Sequence, residues 1–400
     1  MITDKPIPAN EMERIIALSD FDLDYTVHQD NFKDLAKLAA KVAGTNISLV
    51  NLIDTFTQWT IANHGLPLDQ MPREDSVCQY TIASEGQFEV EDLMADDRFK
   101  DKFYVADEPK LRYYFGVPLK TKEGQNLGAL CVLDRDLRTL SPEKIELLKI
   151  IADEIVNRLK AFNVIDGLKH RLKEASETQK KVAHDIRGPL GGIIGLAQII
   201  SEQGHDNQLD EVLEFINLIQ KSGRSILELA DEILSSDKPK PLKAEEFNLL
   251  VFKDKLEKLY VPQAKNKNIG FTVNIDPLTA ATPFSKNKLL QIAGNLISNA
   301  MKFTPGNGKV TVELNLKIEP AENQLEIKVT DTGVGLTPEA IDTILKGNAT
   351  STSGTGGEQG YGFGLALVKH LIEGLKGTLN IYSAPGEGAT FGVRLPQAKS

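Results

Sequence analysis

The chain has 400 residues and a formal charge of −10, with 41 % apolar and 26 % charged residues. That composition is ordinary for a globular protein, and the length exceeds what one core holds, so two or three domains are expected. The acidic balance, without a basic stripe, speaks against a nucleic-acid partner; no window nears the ~20 apolar residues of a membrane span, no basic region leads into an apolar core at the start, and a cytoplasmic protein is expected.

From Phe32 the pattern predicts a helix over FKDLAKLAAKVAG, then strands over ISLVNLID, TQWTIANHG, YYFGVPLKT and LGALCVLD. Apolar alternation around the turn KEGQN marks the last two as an antiparallel pair, and a small α+β domain ends near Arg138. Cys78 and Cys131 lie in separate apolar contexts with no CxxC or Cys/His spacing, and read as buried thiols rather than a disulfide framework or zinc site.

Ser141-Pro142-Glu143 starts a helix, with a capping serine and proline in the first turn. Ile145, Leu148, Ala152, Ile155, Leu159 and Phe162 recur at heptad spacing, a coiled-coil seam that needs a partner. The seam resumes at Ile165, Leu168, Leu172, Ala175 and Val182, having lost one step of phase between Phe162 and Leu168. Beyond the break at GHDN a second stripe runs through Val212, Ile216, Ile219, Gly223, Ile226, Ala230 and Ile233. Two such helices make half of a four-helix bundle, which a dimer completes.

Within KKVAHDIRGPLGGIIGLAQII, glycines and a proline follow His184, although they cost about 1 and about 3 kcal/mol against alanine inside a helix. Gly188, Gly191 or Gly192, and Gly195 share the face of His184, while Ile186, Leu190, Ile193, Ala197 and Ile200 form another stripe. The bare strip beside the histidine lets another protein surface come close. A neutral His184 can act as a nucleophile, and Asp185 can orient the ring or take its proton. A surface histidine in a frayed segment is the competing reading of this stretch alone.

After the proline-rich hinge SDKPKPLK, the region from Glu245 to about Pro396 alternates helices with strands, an arrangement of helices over one mixed sheet. In LLQIAGNLISNAMKFTP, Asn295, Asn299 and Lys302 line up beside an apolar stripe through Leu289, Ala293, Leu296, Ala300 and Phe303. Asparagine is a poor residue for a helix interior, so an amide oxygen for magnesium and an ammonium for phosphate fit the row. Strand QLEIKVTD runs into DTGVGL, where Asp331 can accept from an amine and Gly333 and Gly335 let backbone approach a flat ring. After the loop KGNATSTSGTGGEQ, a lid by its length, Gly360, Gly362 and Gly364 with Leu365 open a helix whose first amides favour phosphate.

Together HDIRGPL, NLISNAMKFTP, DTGVGL and GYGFGLAL resemble the histidine box, asparagine box and two glycine boxes of bacterial sensor histidine kinases, over Lys180 to Pro396. The resemblance implies that His184 accepts the γ-phosphoryl group of ATP with help from Asp185, that Asn299 holds Mg2+ with Asn295 nearby and Lys302 on phosphate, and that Asp331 reads the adenine amine. GEGATF resembles the segment closing the adenine pocket, with Thr390 as a contact. It also implies a homodimer and onward transfer to an aspartate of a separate response regulator receiver. Two positions depart from the family pattern: Gly188 stands where a threonine or asparagine is usual, which implies weak phosphatase activity, and IDTILKGNATSTSG lacks the usual aromatic pair of the lid.

SVCQYTI, LRYYFGVPLKT and LGALCVLD resemble GAF domains, which implies a dimer scaffold or an unknown small-molecule ligand. The expected fold is multidomain: an α+β GAF-like sensor (1–140), a coiled-coil signalling helix (141–180), an antiparallel helical hairpin forming a dimeric four-helix bundle (181–236), a hinge (237–244) and an α/β sandwich ATP-binding domain (245–400). Two other readings compete: a non-catalytic GAF dimer that only binds nucleotide, and a serine kinase of the same ATP fold.

Overall fold

The computed structural model describes residues 6–25, 32–203, 209–235, 247–320, 322–346, 354–355 and 362–397; the side chains of 166, 169–185, 203, 209–210 and 228–235 also lie outside the described set. The first elements are α1 (Glu11–Ser19), α2 (Lys33–Ala43), β1 (Ile47–Ile53), β2 (Thr57–His64), β3 (Gln70–Pro72), α3 (Cys78–Ala83), β4 (Phe88–Val90), α4 (Phe103–Ala106), β5 (Tyr113–Lys120) and β6 (Asn126–Asp134). Two long helices follow, α5 (Pro142–Gln203) and α6 (Leu209–Ser235). The rest is α7 (Leu249–Asn266), β7 (Gly270–Ile275), α8 (Leu289–Phe303), β8 (Lys309–Lys317), β9 (Asn323–Asp331), α9 (Pro338–Leu345), α10 (Gly364–Gly374), β10 (Thr378–Ser383) and β11 (Ala389–Gln397). Two compact units result, Met1–Asn163 with Ala244–Lys399, and Val164–Lys243.

In the first unit, an antiparallel sheet has the order β3-β2-β1-β6-β5-β4. Every residue of β1 is buried, including the polar Ser48 and Asn51, because both faces of the strand are covered. On one face lie α2 and the first turns of α5; on the other, α3 and the segment around Phe99 to Leu111 close a second core. The expected seam over 145–162 therefore has its partner inside the domain: Leu148, Ala152, Ile155 and Leu159 pack into the sheet core, with Ile145 and Phe162 at its margin. Helical periodicity reports that a face is covered, not what covers it.

The other sheet of this unit has the order β10-β11-β9-β8-β7, with β7 and β8 parallel and the remaining pairs antiparallel. Strand β8 alternates buried and half-buried residues, so one face meets α7, α8 and α10 and the other faces outward. The N-terminal helix α1, which the sequence pattern did not single out, packs Ile15 into this same core, and Trp59 of β2 joins it. Tyr25 stacks on Trp59 at 4.8 Å between ring centres, and Tyr260 of α7 meets Trp59 edge-on at 6.4 Å. Gln70 donates to the Leu259 carbonyl (3.0 Å), Gln263 to Gln70 (2.8 Å), and the Lys288 amide to Asp22 (3.0 Å). The two sheet domains of this unit thus meet through a specific, partly apolar seam.

In the second unit α5 runs through Pro189 without ending. A Cβ added at Gly188, Gly191, Gly192 or Gly195 would meet nothing within 4 Å, so the expected bare strip is present. Leu190, Ile194 and Ile199 of α5 and Leu213, Ile216 and Leu227 of α6 are exposed in the single chain. The GHDN break, the SDKPKPLK hinge and most of the expected lid lie outside the described residues.

Candidate active site

Helix α8 carries the centre of the site. It is buried along its whole length to Lys302, so the Asn295, Asn299 and Lys302 row, expected beside an apolar stripe, is interior too, at 3 %, 7 % and 7 % exposure. Asn295 Nδ2 is fixed by donating to the Gln291 carbonyl (2.9 Å), while its Oδ1 has no partner among the described residues. The side-chain nitrogen of Asn299 likewise has no partner among the described residues. Buried amides normally find partners, because each one left unmade costs about 1–3 kcal/mol. Two on successive turns of one helix leave polar atoms that a ligand could satisfy. The Lys302 ammonium lies over the Phe303 ring at 4.6 Å.

Asp331 ends β9. Its Oδ1 accepts from the Gly333 amide (2.8 Å) and the Ala389 amide (3.2 Å), and among the described residues no partner falls on Oδ2. Burial pushes its carboxyl above the usual aspartate range, and those two amides only partly oppose the shift. Gly333 is required by space: a Cβ there would stand 2.3 Å from the Phe303 carbonyl oxygen and 2.8 Å from Asp331 Oδ1. Gly335 is required by backbone, with φ +71 and a Cβ position 2.0 Å from the Ala384 carbonyl oxygen. Thr390, opposite Thr330 across β11 and β9, shares a hydroxyl hydrogen bond with it at 3.1 Å.

Gly364 begins α10 and Leu365 packs against the core, with Gly362 at φ +83 just before them; Gly360 lies outside the described residues. A Cβ at Gly364 would lie 3.1 Å from Asn295 Oδ1, which brings the start of α10 against the asparagine row. It would also lie 2.7 Å from Cε2 of Phe56, in the turn between β1 and β2. Phe56, Thr57 and Met71 share a cavity of about 410 Å³ with Ser298, Met301 and Lys302. No pattern in the sequence singled out Phe56, since a lone aromatic in a hairpin turn carries no period. His184 and Asp185 lie on the helical backbone of α5, their side chains outside the described residues.

The site is what a nucleotide needs: a carboxylate with a vacant oxygen, flanked by close backbone, across from unpartnered amides, a buried ammonium and a helix start. Comparison with known proteins agrees. Residues 28–159 match the GAF domain, 175–240 the His Kinase A (phospho-acceptor) domain, and 285–399 the histidine kinase-, DNA gyrase B-, and HSP90-like ATPase. The chain is similar to the cyclic di-GMP phosphodiesterase PA2567 of Pseudomonas aeruginosa, 36 % identical over 52 % of this chain and 38 % of that protein. It is similar to the autoinducer 2 sensor kinase/phosphatase LuxQ of Vibrio vulnificus, 33 % identical over 57 % of this chain and 27 % of that one. The histidine protein kinase DivJ of Caulobacter vibrioides is 30 % identical over 63 % of this chain and 44 % of its own length. The chain thus spans under half the length of these relatives. No helix among the described residues is long and apolar enough to cross a membrane. The chain thus combines, in this order, a GAF domain, a His Kinase A (phospho-acceptor) domain and an ATPase domain of the histidine kinase type.

Proposed function

We propose that this chain is a cytoplasmic two-component kinase that transfers the γ-phosphoryl group of ATP to His184 and then to an aspartate of a separate response regulator. The observation that carries the reading is the pair of amides, Asn295 and Asn299, each with an atom unpartnered among the described residues, about two and three turns into a buried helix, together with the half-satisfied Asp331. Asp331 Oδ2 accepts from the adenine amine, Gly333 and Gly335 admit the ring, and Thr390 borders the pocket. Gly360, Gly362, Gly364 and Leu365 lead the phosphates to the start of α10, and Lys302 neutralises their charge. Asn299 turned to present its oxygen would hold Mg2+, with Asn295 beside it; the ion supplies charge screening for phosphoryl transfer when bound.

At His184 a neutral ring nitrogen attacks the γ-phosphorus in line, the bond from that phosphorus to the bridging oxygen breaks and ADP leaves, while Asp185 orients the imidazole and takes up its proton. The exposed leucines and isoleucines of α5 and α6 support a homodimer in which two hairpins form one bundle. The proposed domain order is sensor 1–140, signalling helix 141–180, phosphotransfer hairpin 181–236, hinge 237–244 and ATP-binding domain 245–400, with the first turns of the signalling helix packed on the sensor sheet. Gly188 offers no side chain to hold a water, which supports weak phosphatase activity. Incubating the full chain with γ-labelled ATP and Mg2+ should give an acid-labile, base-stable label on His184 that His184→Gln abolishes. Nucleotide binding without label would favour the non-catalytic dimer, and an acid-stable label on a protein partner would favour the serine kinase.

A further inference from the structure

The two cysteines, 53 residues apart in sequence, come together on one face of the first sheet, with Sγ of Cys78 and Sγ of Cys131 3.8 Å apart. Cys78 begins α3, and Cys131 sits in β6 opposite Leu49 of β1. Their surroundings are polar in an otherwise apolar core. Asn51, two residues along β1 from Leu49, donates its amide to both sulfurs, at 3.3 Å to Cys78 and 3.5 Å to Cys131. The amide is held that way round because its Oδ1 accepts from the Thr60 hydroxyl (2.8 Å). The Tyr114 hydroxyl donates to Cys78 Sγ (3.3 Å) and bonds Thr81 (2.7 Å). Gly116 leaves room for that network, since a Cβ there would fall 2.4 Å from the phenol oxygen.

The donors favour sulfur that carries negative charge, and they are unequally shared. Burial pushes the Cys78 thiol up, but hydrogen bonds from Cys131, Tyr114, Asn51 and Ser76 more than reverse it and leave the thiol below its ordinary range. Burial and the neighbouring sulfur hold Cys131 well above it. One thiol is thus the nucleophile and the other the proton-bearing partner. Both line a cavity of about 220 Å³, walled also by Leu49, Met71 and Tyr114, which is large enough for a small peroxide. Among the described residues no group of three or more His, Cys, Asp or Glu gathers, so the pair lacks the further ligands a zinc ion takes.

We propose that Cys78 and Cys131 form a reversible dithiol–disulfide pair, oxidised by a hydroperoxide that enters the cavity they line. The Cys78 thiolate attacks the outer peroxide oxygen; the O–O bond breaks, a sulfenic acid forms on Cys78, and the alkoxide takes the displaced proton to leave as an alcohol, or as water from hydrogen peroxide. Cys131 then attacks the Cys78 sulfur, the S–O bond breaks, and water leaves with the Cys131 proton. The net change is two thiols and one hydroperoxide to one disulfide, one alcohol and one water. The sulfurs must close by about 1.8 Å to reach bonding distance.

The full chain, reduced and then exposed to hydrogen peroxide, should lose two hydrogens by intact mass, with the Cys78 and Cys131 peptides joined within one chain and separated again by dithiothreitol. In Cys131→Ser the oxidation should stop at a sulfenic acid on Cys78 that dimedone captures, and in Cys78→Ser thiol oxidation should slow by about tenfold or more. Survival of both thiols in excess peroxide overturns the proposal, as do bridging between chains and oxidation of Cys78 to sulfinic acid with Cys131 still reduced. The wild-type measurements decide the matter even where a serine variant fails to fold.

Discussion

Two buried carboxylates in the first unit, Glu11 on α1 and Asp331 at the end of β9, meet opposite treatment. Glu11 is enclosed by Arg14, which donates to both its oxygens at 2.8 Å, and by Arg73 at 2.6 Å. Burial raises its carboxyl, and the two guanidiniums overcome that and hold it below the usual glutamate range. Arg14 also donates to the Ile53 carbonyl (2.7 Å) and Arg73 to the Asp54 carbonyl (3.2 Å), so the cluster ties α1 to the turn that carries Phe56. Asp331 meets two backbone amides and no cation among its hydrogen-bond partners, and stays above its usual range. A carboxylate whose two oxygens are both taken by guanidiniums fixes structure, whereas one with an oxygen left over can still accept from a ligand.

The largest expected effect comes from removing the carboxylate that both guanidiniums share. Glu11→Ala leaves two buried guanidiniums without their carboxylate and should cost about 3–5 kcal/mol of stability, read from urea denaturation. The pH dependence has a fixed sign. Because the folded Glu11 carboxyl lies below its unfolded value, its stabilisation is full above the unfolded pKa and disappears as pH falls through the folded one. Glu11→Gln should therefore flatten the acid limb of the stability profile. An unchanged limb would mean that the cluster does not govern it.

Asp331→Asn should behave in the opposite way. The asparagine oxygen can keep the Gly333 and Ala389 bonds, which then turns its NH2 toward the pocket, donor facing the adenine amine. Nucleotide affinity should fall roughly tenfold to a hundredfold, the value of a hydrogen bond to a charged acceptor. Stability should hold or rise, because a carboxylate raised by burial is a cost to the folded state above its pKa. In the wild type, affinity should weaken as pH falls through that raised pKa, earlier than for an ordinary aspartate. Titration with a fluorescent nucleotide, beside thermal melts, separates the two readouts.

Local pattern carried the elements that order the nucleotide site and missed what lies over it. Alternation and the KEGQN turn located the β5 and β6 hairpin, and the i, i+4, i+7 row of Asn295, Asn299 and Lys302 stood out because asparagine is costly in a helix. The burial of that row was not legible, since the covering residues come from α10 and from the distant turn at Phe56. Cys78 and Cys131 looked unrelated for the same reason: their meeting depends on α3 folding back over β6, and no short-range period records it. The stripe over 145–162 is visible in the sequence as a coiled-coil seam that needs a partner, and the partner is the adjacent sheet, which no helical period can name.

The smallest effect tests whether the turn at Phe56 bears on the nucleotide site. Gly364→Ala places a methyl 2.7 Å from the Phe56 ring and 3.1 Å from Asn295 Oδ1, so either the ring or the asparagine must move. Phe56→Ala alone should tighten nucleotide binding a few-fold, because it clears space beside Asn295 at the start of α10. If the ring is the main obstacle to the methyl, Gly364→Ala should weaken binding on its own and do so less in the Phe56→Ala background, with a coupling of about 0.5–1.5 kcal/mol between two residues in contact. Strict additivity would place the strain of Gly364→Ala on Asn295 alone, and the GAF turn would then be a neighbour of the nucleotide site with no energetic link to it.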